Sequence, residues 1–218
     1  MARIGRIVIP GIPHHVTQRG NHKEKVFFED GDHARYLAFL KEGAEKSGTS
    51  VWAYCLMPNH VHISAVPSHA DGLRAMFADS HRRYTNYVNW RHGWTGHLWH
   101  GRFGSAAMDE DHLAEAVRYV LLNPVRAGLA KLAEDWPHSS IHAHVHGKAD
   151  PLIDPSPLAE RFGDLSSVLE NRAMEKFDAI RQSERTGRPL GAAAWLKSLE
   201  PLTGRSLLPG KRGPKPRE

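Results

Sequence analysis

Two short β-rich runs, Val51 to Leu56 and Val61 to Val66, are separated by Met57-Pro58-Asn59 and His60. So short a connection forces them into an antiparallel hairpin. The flanking segments then decide how that hairpin can be covered. Upstream, His14 to Arg19 alternates and closes at Gly20-Asn21, a strand ended by a turn pair. After it, Asp30 or Asp32 can cap a helix running to about Ser47, with Leu37, Leu40 and Ala44 on one stripe and Gly48 at the position of a C-terminal cap. Downstream, Leu73, Met76, Phe77, Tyr84 and Val88 recur at helical spacing over Asp71 to Trp90. Phe103 to Met108 reads as a fourth strand. Asp109-Glu110-Asp111 then places acids at the start of a third helix, predicted to end at Asn123 before Pro124. Strand, helix, strand, strand, helix, strand is the split βαβ order of an α+β, ferredoxin-like fold with an antiparallel sheet.

Beyond Trp136-Pro137, the three prolines of Asp150-Pro-Leu-Ile-Asp-Pro-Ser-Pro157 read as a linker over residues 148–157. It is expected to divide a catalytic domain, 1–147, from a helical, basic C-terminal extension, 158–218, with helices around Ser166 to Arg181 and Leu190 to Leu199. The net charge of +5 is concentrated in this extension. From Arg185 onward, eight Lys and Arg residues face only Glu200 and Glu218. Such an arm suits phosphate neutralisation, although a solubilising tail has the same composition. The chain has no apolar run long enough to span a bilayer, and its N-terminus has no signal-peptide pattern, so a cytoplasmic protein is expected. A single cysteine, Cys55, excludes a disulfide framework or a cysteine-based zinc knuckle.

Sixteen histidines concentrate attention on His60-Val61-His62. In a strand, a period of two turns both imidazoles to one face while Val61 and Ile63 turn to the other, so the pair can chelate one metal. A solvated strand face carries the same pattern, and the motif alone leaves both readings open. In the third helix Glu115, Tyr119 and Asn123 share a stripe at i, i+4 and i+8, while Leu113, Val117, Val120 and Leu121 can face the core. Trp90, Trp94 and Trp99 lie among Arg91, His92, His97, His100 and Arg102, an interleaving of rings and cations that suits either base stacking or a packed core. His142, His144 and His146 also alternate, but their surroundings favour a solvated segment.

Several spaced blocks carry a resemblance. They are His14-His-Val-Thr-Gln-Arg-Gly-Asn21, Leu56-Met-Pro-Asn-His-Val-His62, Leu98-Trp-His-Gly-Arg-Phe103, Arg118-Tyr-Val-Leu-Leu-Asn-Pro-Val-Arg-Ala-Gly-Leu129 and Asp135-Trp-Pro-His-Ser-Ser140. In order and content, over roughly residues 5–147, the chain resembles the single-tyrosine His-hydrophobic-His (HUH) transposases of the insertion-sequence-200-like superfamily, especially the REP-associated tyrosine transposases. The resemblance implies Tyr119 as nucleophile, His60 and His62 as metal ligands, Asn123 at the third ligand position, and Mg²⁺ or Mn²⁺ as cofactor. Imidazoles alone would suit zinc equally well. It also implies a single-stranded DNA substrate beside a hairpin, cleaved through a 5′-phosphotyrosine link, with the protein acting as a monomer or homodimer. Arg19, Arg82, Arg91, Trp99, Arg102, Arg126, Lys211 and Arg212 are the expected DNA contacts. The alternative, from another class, is a protein that binds hairpin or repeat DNA without cutting it. A zinc hydrolase of small substrates is disfavoured, since the H-x-H motif holds no carboxylate to act as base.

Overall fold

The computed structural model describes residues 5–170 and 177–208. Its centre is a four-stranded sheet of β1 (His14–Arg19), β2 (Thr49–Met57), β3 (His60–Pro67) and β4 (Gly104–Ala107), ordered β2-β3-β1-β4. Every neighbouring pair is antiparallel. With α1 (Asp32–Ser47) between β1 and β2, and α2 (Gly72–His92) between β3 and β4, this is the expected split βαβ architecture. Register places Thr17 opposite His62 and Arg19 opposite His60.

Alternation along the strands sorts the two faces. Val16, Leu56, Val61 and Ile63 join Tyr36 and Leu40 of α1 and Met76, Phe77, Tyr84 and Val88 of α2 in one buried cluster. Ala53, Cys55 and Met57 face the other way, onto a second cluster with Leu113, Val117 and Val120 of α3 (Glu110–Leu121). His60 and His62 therefore share the α3 side of the sheet. Gly48 ends α1 in the left-handed region, φ 58°, its N–H reaching the Ala44 and Glu45 carbonyls, as its position in the sequence predicts. Gly20 is needed for another reason, because a Cβ there would lie 2.2 Å from the Glu24 carbonyl oxygen.

Several boundaries differ from expectation. Neither Asp30 nor Asp32 is the N-cap of α1. Gly31 holds that place, and the Asp32 carboxylate instead accepts from the Phe28 and Glu29 N–H groups. The third helix stops at Leu121, and Asn123 opens a separate short helix, α4 (Asn123–Arg126), because Pro124 fits a first turn, where its missing N–H is not needed. His142, His144 and His146 lie on a helix, α5 (Ile141–His146), where the His144 Nε2 meets the Trp52 carbonyl at 2.9 Å.

The proline-rich segment 148–157 is packed against the sheet domain and is not a free spacer. Asp150 accepts a hydrogen bond from the Tyr54 hydroxyl at 2.7 Å, and Ile153 is buried with the α1/α2 cluster. The extension forms α6 (Ser156–Phe162), α7 (Leu165–Glu170), α8 (Phe177–Thr186) and α9 (Ala193–Thr203). Leu158, Leu165, Phe177 and Ile180 from it complete the core beneath α3, and Leu196 and Leu199 pack with Ile7, Ile9 and Ala107. Part of the helix expected over Ser166 to Arg181 falls outside the described residues, as do Lys211 and Arg212. Among the described residues no helix is long and apolar enough to cross a membrane.

Candidate active site

The strongly apolar face of α3 lies on the sheet, which brings Tyr119 down onto the histidines. Its ring stands edge-on to His62, with centroids 5.3 Å apart, and to His15 of β1 at 5.6 Å. His60 stands edge-on to His62 at 4.8 Å. Tyr119 thus meets His62 within one chain, and His60 packs on the His62 ring. The His60 Nδ1 lies 2.6 Å from the Asn59 Oδ1, so the ring donates there and its Nε2 lone pair is left to a ligand. His15 Nε2 and His62 Nδ1 are 3.1 Å apart, one donating to the other.

A carboxylate from the C-terminal extension completes the cluster. Glu184 Oε1 lies 3.5 Å from His62 Nδ1 and 3.9 Å from His15 Nε2. These are not charged pairs at neutral pH. Burial brings His15 down to about 3, and burial followed by the nearby His60, His15 and Arg19 holds His62 well below its ordinary value, so both rings are neutral. His60 falls to about 4 through burial and then Arg19. Burial pushes Glu184 up to about 7, opposed by the nearby Tyr119 hydroxyl and by Arg19, Arg126 and Arg181. The Tyr119 phenol is also raised, by burial first and Glu184 second, against Arg126, whose guanidinium sits 4.5 Å over the tyrosine ring.

His15, His62 and Glu184 form a group whose donor atoms lie within 4.8 Å of one another. Neutral imidazoles beside a carboxylate suit a divalent cation. Buried polar atoms point the same way. Among the described residues, Glu184 Oε1 and His15 Nδ1 of this group have no hydrogen-bond partner, and neither has the buried amide nitrogen of Asn123 at the start of α4. At Asn123, exchanging the amide's nitrogen and oxygen would present an acceptor instead. The donor set therefore fits the divalent metal expected from the sequence. His15 and Glu184 were not among the residues singled out there. The alternation of β1 puts His15 on the same face as Arg19, a usable cue, whereas nothing near Glu184 in the sequence marks it.

The remaining expected contacts divide. Arg19 and Arg126 surround the tyrosine cluster electrostatically. Arg91 instead binds the buried Asp32 carboxylate through both terminal nitrogens, at 2.6 and 2.9 Å, so it serves the fold. Trp99 is only 7% exposed and packs with His81, Tyr36 and Tyr84, so it cannot offer an open stacking face, whereas Trp90 is 83% exposed. Arg82, ion-paired to Asp79, and Arg102 belong to the α2 side of the sheet. Glu115 faces Arg118 at 3.8 Å.

An antiparallel split βαβ sheet with a strand-borne histidine pair beneath a tyrosine helix is the layout of the single-tyrosine HUH class. Residues 10–123 match the family model described as Transposase IS200 like, and the chain belongs to that family. Over 127 residues it is 26% identical to a Haemophilus influenzae protein described as a candidate REP-associated tyrosine transposase, an alignment covering 53% of this chain and 72% of that one. Over 94 residues it is 26% identical to the REP-associated tyrosine transposase of Escherichia coli K12, covering 43% of this chain and about half, 54%, of that protein. Its fold is that of a REP-associated tyrosine transposase solved bound to a REP hairpin, with a TM-score of 0.59 at 20% identity over 71% of this chain and 92% of the solved one.

Proposed function

We propose that the chain is a metal-dependent DNA strand transferase that cuts and rejoins single-stranded DNA beside a hairpin, acting on DNA in the cytoplasm. The observation that carries this reading is Tyr119 held edge-on to His62 by the core packing of α3. A buried phenol raised above its ordinary pKa is a poor nucleophile until its proton is removed. Glu184, whose carboxylate acts electrostatically on the Tyr119 phenol and lies beside His62, is the group we assign to take that proton. The Tyr119 oxygen then bonds to the scissile phosphorus, the bond from phosphorus to the 3′-oxygen breaks, and that oxygen leaves as a 3′-hydroxyl after taking a proton. A 5′-phosphotyrosine link remains, and a 3′-hydroxyl can attack it to rejoin a strand. This is a transesterification and needs no nucleotide hydrolysis. Arg126 and Arg19 set a positive field around a phosphate at Tyr119.

His60, His62 and Asn123, the ligands expected from the sequence, would hold Mg²⁺ or Mn²⁺ together with His15 and Glu184, which group with His62, and the bound ion would supply Lewis-acid stabilisation of charge on the phosphate. The neutral state of the histidines keeps their lone pairs available for that role. The hairpin substrate is supported by the relative that was solved with one. The test is incubation of wild type and Tyr119→Phe with labelled hairpin DNA carrying single-stranded flanks, with Mn²⁺ or Mg²⁺, followed by a denaturing gel. A covalent adduct formed only by wild type with metal is expected. Tight hairpin binding without an adduct or cut would favour the non-catalytic binding protein.

A further inference from the structure

On the α2 side of the sheet, the loop Gly96–Phe103 and the exposed flank of α2 line an open cavity of about 440 Å³. Phe77, Leu98, Trp99 and Phe103 form its apolar lining, and the His81 ring stacks on Trp99 with centroids 4.5 Å apart. The buried Trp99 indole N–H has no hydrogen-bond partner among the described residues. Arg6, Arg74, Arg82 and Arg102 stand at the margin, and among the described residues lining the cavity there is no carboxylate. Arg74 and Arg82 are ion-paired on the exposed helix surface, to Asp71 and Asp79. Such pairs are weak enough to exchange for phosphate.

The cavity is not isolated from the tyrosine cluster. Arg6, Arg102 and Phe103 are also a wall of a narrow cleft whose other side is Glu184, Arg185, Thr186 and Gly187, beside the edge strand β4 at Gly104 and Ser105. Glu184 is the carboxylate beside His62 and Tyr119. Arg6, Arg102 and Arg185 therefore form a basic rim at the β4 edge, between Glu184 and the cavity on the opposite face of the sheet.

We propose that this cavity takes one unpaired nucleobase of the DNA strand that leaves Tyr119, with the arginines at its margin holding the flanking phosphates. The assignment rests on the strand-transferase reading. The volume is that of a small-molecule site, large enough for a base and sugar. A stacked duplex is too wide for a cleft of this volume, whereas a single extruded base can lie against its apolar lining.

Hairpins with and without a single-stranded tail, carrying 2-aminopurine at each unpaired position in turn, test this on the full chain. One tail position is expected to change fluorescence on binding. Ala78→Trp, at an exposed α2 position lining the cavity, should abolish the change at that position. It should also lower the preference for tailed over blunt hairpin by roughly 5- to 100-fold, the worth of one stacked base. Arg82→Glu should lower that preference without filling the cavity, which guards against a folding defect in the first variant. Wild-type binding to both hairpins with equal affinity, or retention of the wild-type preference by both variants, would overturn the cavity assignment while leaving the transferase reading intact. Failure of wild type to bind either hairpin would overturn both. Binding of a free deoxynucleotide monophosphate as tight as the tailed strand would overturn the assignment to a DNA strand.

Discussion

Arg91 illustrates how a cation that reads as a DNA contact can be tested as a structural one. Its guanidinium grips Asp32, which is completely buried, at 2.6 and 2.9 Å, and the same carboxylate accepts from the Phe28 and Glu29 N–H groups at 2.8 and 3.0 Å. Arg91→Met keeps the aliphatic stem and removes the charge. Losing one partner of a buried ion pair costs about 3–5 kcal/mol. Here the two backbone donors stay behind and the Arg91 side chain is 17% exposed, so a loss of about 2–3 kcal/mol is expected. In a chain of this size that lowers Tm by roughly 4–12 °C, measurable by calorimetry or circular dichroism.

The effect should also depend on pH. Burial alone would raise the Asp32 pKa, but the Arg91 hydrogen bonds and the Phe28 and Glu29 N–H groups outweigh it and hold the carboxyl below its ordinary 3.8. A carboxylate depressed on folding stabilises above its unfolded pKa, and this contribution is lost as pH falls through the lower folded value. The gap in Tm between wild type and Arg91→Met should therefore be full at pH 6 and close in strong acid. Hairpin affinity supplies the opposing measurement, since a residue that neutralises a single-strand phosphate changes the slope of log K against log salt by about 0.7. A Tm within 1 °C of wild type together with a slope reduced by about 0.7 would refute the structural assignment.

Three other perturbations probe the site and its support. Glu184→Gln should slow adduct formation about 10²- to 10⁴-fold if the carboxylate takes the Tyr119 proton, and isothermal titration with Mn²⁺ reads its separate part in the donor set. Phe177→Ala removes a buried ring 5.4 Å from Tyr119 and should cost about 3–5 kcal/mol in urea unfolding, whereas an extension merely tethered to the sheet domain would leave stability unchanged. Gly20→Ala sets a Cβ against the Glu24 carbonyl and the Val26 side chain at the end of β1, and a loss of about 1–3 kcal/mol is expected from thermal melts.

What the sequence made legible follows the range of the forces involved. Periodicity is local, so β1, the hairpin and the helix over Asp71 to Trp90 are readable from a few residues each, and with them the sharing of one face by His60 and His62. The stripe that carries Tyr119 is readable for the same reason, because Leu113, Val117 and Val120 define the side of α3 that packs on the sheet. The hidden parts depend on contacts between distant segments. Trp99 has the same neighbours in sequence whether its ring stacks on bases or on His81, and Arg91 differs from a phosphate-binding arginine only through Asp32, on the far side of β2 and β3 in the sequence. Glu184 lies beyond a proline-rich stretch whose composition suggests a spacer, yet Ile153 and Leu158 are buried on either side of Pro155. Burial of those two side chains ties the stretch to the core. That packing lets a carboxylate from the extension sit beside His62, so the tyrosine cluster draws on residues from β1 to α8 and depends on the extension for one of its charged groups.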